Sequence, residues 1–318
     1  MLKIGGYFEL ELPKGKELHK NCVRLNSGRN SLEYILRANE YKKIFIPYYT
    51  CSVVMEPIIK LNIDYEYYRI DRNFLPMQIS VGKNDAILYT NYFGIMSDNI
   101  PQLRAKHENI ILDNTQAFFA KPLSDVDSFY SCRKYFGVPD GGYVYSRKKL
   151  ADKFERNKII DNTSHLLERI ENGPESGYKS FIRNDKAFDN KPILKMSRLT
   201  EKIMQSIDYD YVYSRRNQNF KYVHSRLSDR NQFTVPISNN ICGPLVYPFL
   251  YEHNTLRDEL IEKKIFIPLY WENVLRQVQI GTREHNLAKY LLPLPIDQRY
   301  SIKHMRQMCD MIEQCIDD

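Results

Sequence analysis

The stretch Asn109-Ile110-Ile111-Leu112-Asp113-Asn114-Thr115-Gln116-Ala117 decides the fold. Ile110, Ile111 and Leu112 leave no polar face, so the run reads as a short buried strand with an acid at its C-terminal end. Further on, Ser128-Phe129-Tyr130-Ser131-Cys132-Arg133-Lys134 reads as a second strand running out into a lysine, 21 positions after Asp113. Asp140-Gly141-Gly142 then supplies a turn. An acid and an amine at the ends of two such strands can grip opposite ends of one heterocycle.

Around this pair the first half of the chain alternates. Strand signals fall at 43–47, 65–70, 86–90, 126–130 and 143–146, and helix signals at 31–38, 51–61 and 98–106, with Pro57 expected to kink the second. Strands separated by helices of this length predict a mostly parallel sheet covered on both faces, an α/β fold. From about Leu150 the pattern changes. The spacing predicts a charged amphipathic helix over 149–170, a loop or crossing segment over 171–191 and a long helical run over 199–227. A strand at 244–249 and helices at 255–263 and 302–316 follow. The expected organisation is a large α/β domain over 1–190 and a smaller C-terminal α+β domain over 191–318.

Composition narrows the function. The 318 residues are 43% hydrophobic and 27% charged, an ordinary globular balance. The first residues carry no apolar h-region and no run approaches 18 apolar residues, so neither a signal peptide nor a membrane span is expected. Six cysteines without CxxC spacing predict neither a metal site nor a disulfide framework, and reduced thiols fit a cytoplasmic protein. The formal charge of +7 is dispersed, with Arg147-Lys148-Lys149 the densest cluster, so nucleic acid is not an expected partner.

Each candidate site residue has a plain reading and a chemical one. Ser27-Gly28-Arg29-Asn30-Ser31-Leu32 is either a capped helix start or a helix N-terminus whose free amides hold a phosphate. Asp113 is an Asx-turn former or a carboxylate facing a protonated pyridine nitrogen. Lys134 is a solvated lysine or an amine that condenses with an aldehyde. Phosphate turn, acid and lysine, in that order, together point to pyridoxal 5'-phosphate.

On these residues the chain resembles the DegT/DnrJ/EryC1/StrS family of pyridoxal phosphate-dependent sugar aminotransferases, which have the aspartate aminotransferase (fold type I) architecture. Ser27–Leu32 is similar to the family's SGTxAL turn, Ile46-Pro47-Tyr48-Tyr49-Thr50-Cys51 to its "vPayTf" segment, and Asn91-Tyr92-Phe93-Gly94 to its "HlfG". Leu112–Gln116 is similar to "EDAAH/Q", and Ser128 through Gly142 to "SFyptKn…geGG". The resemblance implies that the Gly28 and Arg29 amides and the Ser128 hydroxyl hold the cofactor phosphate. It implies that Asp113 pairs with the ring nitrogen, that Gln116 contacts the ring hydroxyl, and that Cys51 stands where many members stack an aromatic on the ring. Lys134 would be the Schiff-base lysine and the proton-moving base.

The resemblance further implies a glutamate donor, a nucleotide-linked keto-sugar acceptor in surface-polysaccharide or related sugar biosynthesis, and a homodimer. Three positions depart from the family. Ungapped alignment puts Arg133 where the family has its lysine, Cys51 replaces the stacking aromatic, and Met196-Ser197-Arg198 lacks the asparagine of the family's Asn-x-Arg. Two other readings therefore stay open: another pyridoxal phosphate reaction on a sugar, such as dehydration, and a non-catalytic member of the fold.

Overall fold

The computed structural model describes residues 4–236 and 241–317. In chain order the first part comprises β1 (Val23–Leu25), α1 (Gly28–Asn39), β2 (Lys43–Pro47), α2 (Met55–Lys60), β3 (Asp64–Ile70), β4 (Pro76–Met77), β5 (Ala86–Thr90), α3 (Ile100–Lys106), β6 (Ile110–Asp113), β7 (Asp127–Ser131) and β8 (Gly142–Tyr145). The eight strands form one sheet in the order β1-β8-β7-β6-β5-β2-β3-β4. The neighbours from β3 through β2, β5 and β6 to β7 pair in parallel, while β8, β1 and β4 add antiparallel edges. The α/β expectation is met.

The two-residue period of a strand sorts the side chains into two layers. Ile44, Ile46, Leu88, Ile111, Phe129 and Val144 bury one face against α1 and α2. Phe45, Ile87, Tyr89, Leu112, Tyr130 and Tyr143 enter the other, larger cluster. That cluster continues into the C-terminal residues Phe249, Leu292, Met305 and Ile312.

The rest of the chain adds α4 (Ser164–Asn172), α5 (Tyr178–Lys186), α6 (Arg198–Ser206), α7 (Tyr209–Leu227), β9 (Val246–Leu250), α8 (Leu256–Glu262), α9 (Glu272–Gln277), α10 (Arg283–Tyr290), β10 (Leu291–Pro295) and α11 (Ile302–Asp317). β9 and β10 pair antiparallel as a separate ribbon.

Three expectations for this half are corrected. Residues 149–163 form no α-helix, because a remote segment takes their backbone groups: Asn157 N donates to Lys195 O at 2.9 Å and Lys195 N to Glu155 O at 2.7 Å. The supposed loop contains α5, which packs beside α4 where Gly177 passes the His165 carbonyl, too close for a Cβ. The supposed long helix breaks at Ile207-Asp208, because Asp208 caps a new start by accepting from Tyr211 N.

No helix of the described residues is long and apolar enough to cross a membrane. Cys22, Cys51, Cys132, Cys242 and Cys309 are free thiols.

Candidate active site

The parallel strands β5, β6 and β7 bring their C-terminal ends to one edge of the sheet, the edge where α/β folds collect ligand-binding groups. Asp113 ends β6 opposite Thr90 and is 6% exposed. Among the described residues its side chain accepts one hydrogen bond, from Thr115 N at 2.9 Å, closing an Asx turn.

Thr115 is the centre of the arrangement. Its hydroxyl accepts from Lys134 Nζ at 3.0 Å, and its methyl lies 3.3 Å from where a Cβ on Gly28 would stand. One residue thus touches the acid, the amine and the helix start.

Lys134 leaves a 3₁₀ turn over Cys132–Lys134 and opens into a cleft. Arg133 turns the other way. It bonds Asp185 at 2.9 Å and lies over the Phe188 ring at 4.7 Å. The turn is anchored from below: Cys132 N donates to Gly141 O and Gly141 N to Asn26 O. Gly141 has φ +119°, and a Cβ on Gly142 would meet Ser31 Oγ at 2.6 Å, so the Gly-Gly pair lets β8 pass under the start of α1. Asp140, fully buried, accepts from Ser197 N (2.9 Å), Ser197 Oγ (2.7 Å), Asn157 Nδ2 (2.9 Å) and the Thr200 hydroxyl. It pins the loop carrying Lys134 to the start of α6.

At the other end, Ser27 caps α1 by accepting from Asn30 N at 3.1 Å. The amides of Gly28 and Arg29 belong to the first turn and have no carbonyl four residues back. The Arg29 side chain is committed elsewhere, to Glu56 (2.6 Å) and Asp189 (2.8 Å). Ser128 lies mid-strand, fully buried, on the same face as Tyr130. Ser131, three residues on and on the α1 face with Phe129, has its Cβ 3.6 Å from a notional Gly28 Cβ. The serine beside the helix start is therefore Ser131.

The cleft encloses about 470 Å³. Cys51, Gln116 and Lys134 line it from the first half of the chain, and Leu245, Tyr270 and Trp271 close it from the second. Trp271, at φ +60°, packs edge-on against Tyr49 at 4.4 Å and lies 5.8 Å from Tyr92. Tyr49 and Tyr92 are fully buried beneath it.

A closed ring of contacts holds this wall. Phe93 N donates to Gln116 Oε1 (2.7 Å), Leu245 N to Phe93 O (2.8 Å), Arg216 Nη1 to Leu245 O (3.1 Å), and Tyr135 Oη to Gln116 O (2.7 Å). The Arg216 guanidinium, fully buried, stacks 4.4 Å over Tyr135. Burial draws its pKa below the usual arginine value, opposed by Tyr135 and Asp297.

Of the residues singled out from sequence, Asp113, Lys134, Gln116, Cys51 and Gly28 converge at this edge. Thr115, Ser131, Trp271 and Arg216 escaped that reading. Strand alternation could have found Ser131, since it lies an even number of positions from Phe129. No local pattern marks Trp271, which reaches the cleft from a distant part of the chain.

No protein-family model and no curated protein matches this sequence. Solved structures do. DesV of S. venezuelae, in complex with a ketimine intermediate, superposes with a TM-score of 0.64 at 15% identity, over 92% of this chain and 84% of that one. A DegT DnrJ EryC1 StrS aminotransferase from Brucella abortus gives 0.60 at 15%, over 93% and 86%. E. coli GDP-4-keto-6-deoxy-D-mannose-3-dehydratase with bound hydrated PLP gives 0.62 at 14%, over 92% and 87%. The chain shares the fold of these proteins along nearly its whole length.

Proposed function

We propose that this protein is a pyridoxal phosphate-dependent aminotransferase that moves an amino group from an amino-acid donor, glutamate by the resemblance above, to a nucleotide-linked keto-sugar. The observation that carries the reading is the pair of bonds at Thr115, which ties a buried carboxylate and a cleft-facing amine together beside a helix N-terminus. Amine, carboxylate, first-turn amides and the Ser131 hydroxyl form a donor set that fits this cofactor. When bound, pyridoxal phosphate supplies an electron sink for the substrate carbon.

The chain's own residues divide the remaining work. The Gly28 and Arg29 amides and Ser131 hold the phosphate, where the helix dipole adds to their attraction. Asp113 takes the ring N–H on its second oxygen. Gln116, its carbonyl oxygen fixed by Phe93 N, offers its amide to the ring hydroxyl. Lys134 would hold the group at its aldehyde end, and its amine stands where it could take and return a proton at the substrate carbon. Trp271 and Tyr270 screen the site from water.

The exchange balances without an oxidant. The donor leaves as its keto acid, the sugar's carbonyl becomes an amine, and the water released in one half-reaction is used in the other. The working assembly in this reading is a twofold homodimer, the commonest closed assembly.

Trp271 is the only tryptophan and it lines the cleft, so it reports on binding directly. Adding pyridoxal phosphate should quench its fluorescence and raise a visible absorption band. Glutamate should then bleach that band, and Lys134→Ala should lack it. A protein that takes up the cofactor but ignores glutamate points to other sugar chemistry, of the kind the dehydratase performs. No uptake at all ends the enzymatic reading.

A further inference from the structure

Two features lie outside the cleft and its chemistry. The first is the segment Ile4-Gly5-Gly6-Tyr7-Phe8-Glu9-Leu10-Glu11-Leu12. From Phe8 onward apolar and acidic residues alternate, the pattern of a strand with one apolar and one acidic face. Yet it joins no strand, and its large side chains stand in water: Ile4 is 88% exposed, Tyr7 100%, Phe8 93% and Leu10 65%. Gly5 and Gly6, both at positive φ, give it a swivel. Within its own chain the arm is held by one exposed ion pair, Glu9 to Lys202, and the firmer anchors come further on, where Glu17 bonds Arg24 and Tyr143, and His19 bonds Phe118 O.

The second feature is a cavity of about 780 Å³ between the α4–α5 turn, residues 263–268 and α11. Ile261, Ile265, Phe266, Met305 and Met308 give it an apolar floor. Its rim is basic. Arg169, Lys263, Lys264 and Arg299 stand on it against the single acid Glu175, which pairs with Lys264 at 2.7 Å, while Arg299 is shared with Asp297. An apolar trough with a cationic rim fits an extended peptide of alternating apolar and acidic residues, since backbone and side-chain faces are then matched together.

We infer that this cavity takes the N-terminal arm, residues 4–12, of a second copy of the chain. Phe8, Leu10 and Leu12 face the floor, and Glu9 and Glu11 lie level with the rim cations. Docking there replaces the exposed pair that Glu9 makes with Lys202 on α6 of its own chain, while Gly15, against the Gln205 carbonyl at the end of that helix, marks where the arm leaves its own body. Exchange of two arms about a twofold axis closes a dimer. This inference rests on the homodimer offered above, but the two fail differently: a dimer indifferent to changes in the arm keeps the assembly and ends the contact.

The test is sedimentation of the full chain in two charge-reversed forms. One carries Glu9→Lys with Glu11→Lys, the other Lys263→Glu with Lys264→Glu. Each alone should weaken self-association at least tenfold, and an equimolar mixture should recover it, because each mixed pair joins wild-type arm to wild-type rim and reversed arm to reversed rim. Phe8→Asp with Leu10→Asp should weaken association and show no recovery on mixing with the rim variant. A monomeric wild-type chain, association unmoved by either reversal, or recovery only when all four changes share one chain would overturn the inference.

Discussion

Three buried aspartates hold the two ends of the sheet, and they are treated differently. Asp127 opens β7 at the amino edge, fully buried, and accepts from Tyr41 Oη (3.0 Å), Ser146 Oγ (3.0 Å), Arg147 N (2.8 Å) and the Arg147 guanidinium (3.2 Å). Asp140 is surrounded in the same way by Ser197, Asn157 and Thr200. Asp113, at the carboxyl edge, receives only the Thr115 amide among the described residues. Buried carboxylates need partners. Where the protein supplies all of them, the acid is doing structural work. Where it supplies one partner, through the same threonine that holds the cleft-facing Lys134, the proposed function gives the remaining place to the cofactor. The same residue type thus separates scaffold from site.

The widest test of that contrast pits one end against the other. Asp113→Asn keeps the Thr115 bond and should leave the melting temperature nearly unchanged while cutting transaminase turnover by about 10²–10⁴-fold, the scale of a lost positioned acid or base. Asp127→Ala should do the opposite. It strands Arg147 and Tyr41 at a buried site and should cost about 3 kcal/mol of stability, leaving turnover per folded molecule unchanged. Denaturant titration beside steady-state rates reads both. If the two variants lose the same property, the contrast is wrong.

A buried group satisfied in its neutral form sharpens the comparison. His19 lies between Phe118 O (2.9 Å) and Tyr145 Oη (3.1 Å), and burial pulls its pKa down to about 4. The unfolded chain binds this proton near pH 6.5 and the folded chain near 4, so between those values the unfolded state holds more protons and stability falls as the pH falls. The loss begins below 6.5 and is complete near 4, amounting to about 3 kcal/mol. His19→Gln should flatten that part of the stability–pH curve. An unchanged slope would mean that His19 is protonated in the folded protein.

Legibility followed where each residue's partners lie. The bounds of β2, β5 and β6 were readable because a strand buried on both faces spells itself in consecutive apolar residues. Asp113 and Lys134 were readable because strand ends and spacing brought them together, and Arg133 competed with Lys134 only until Asp185 and Phe188 drew it away. What escaped depends on distant segments. Residues 149–163 carry helical spacing, but Lys195 takes their backbone bonds. Trp271 reaches the cleft, and Arg216 braces the wall behind it through Leu245 and Tyr135, only because the C-terminal half folds back over the sheet edge.

Thr115 gives the finest cut, because its two substituents serve the two ends of the site separately. Its hydroxyl tethers Lys134, and its methyl fills the space against Gly28. Thr115→Val removes the tether and keeps the volume. Losing one hydrogen bond at a group that can find water instead costs about 1 kcal/mol, so turnover should fall roughly fivefold to tenfold with stability little changed. Thr115→Ser keeps the tether and removes the methyl, so most of the turnover should return while cofactor affinity weakens as the floor beside Gly28 loosens. Measuring turnover and cofactor dissociation on both variants separates the two effects. If valine matches the wild type in both, Lys134 needs no tether, and the contrast between satisfied and open carboxylates must rest on Asp113 alone.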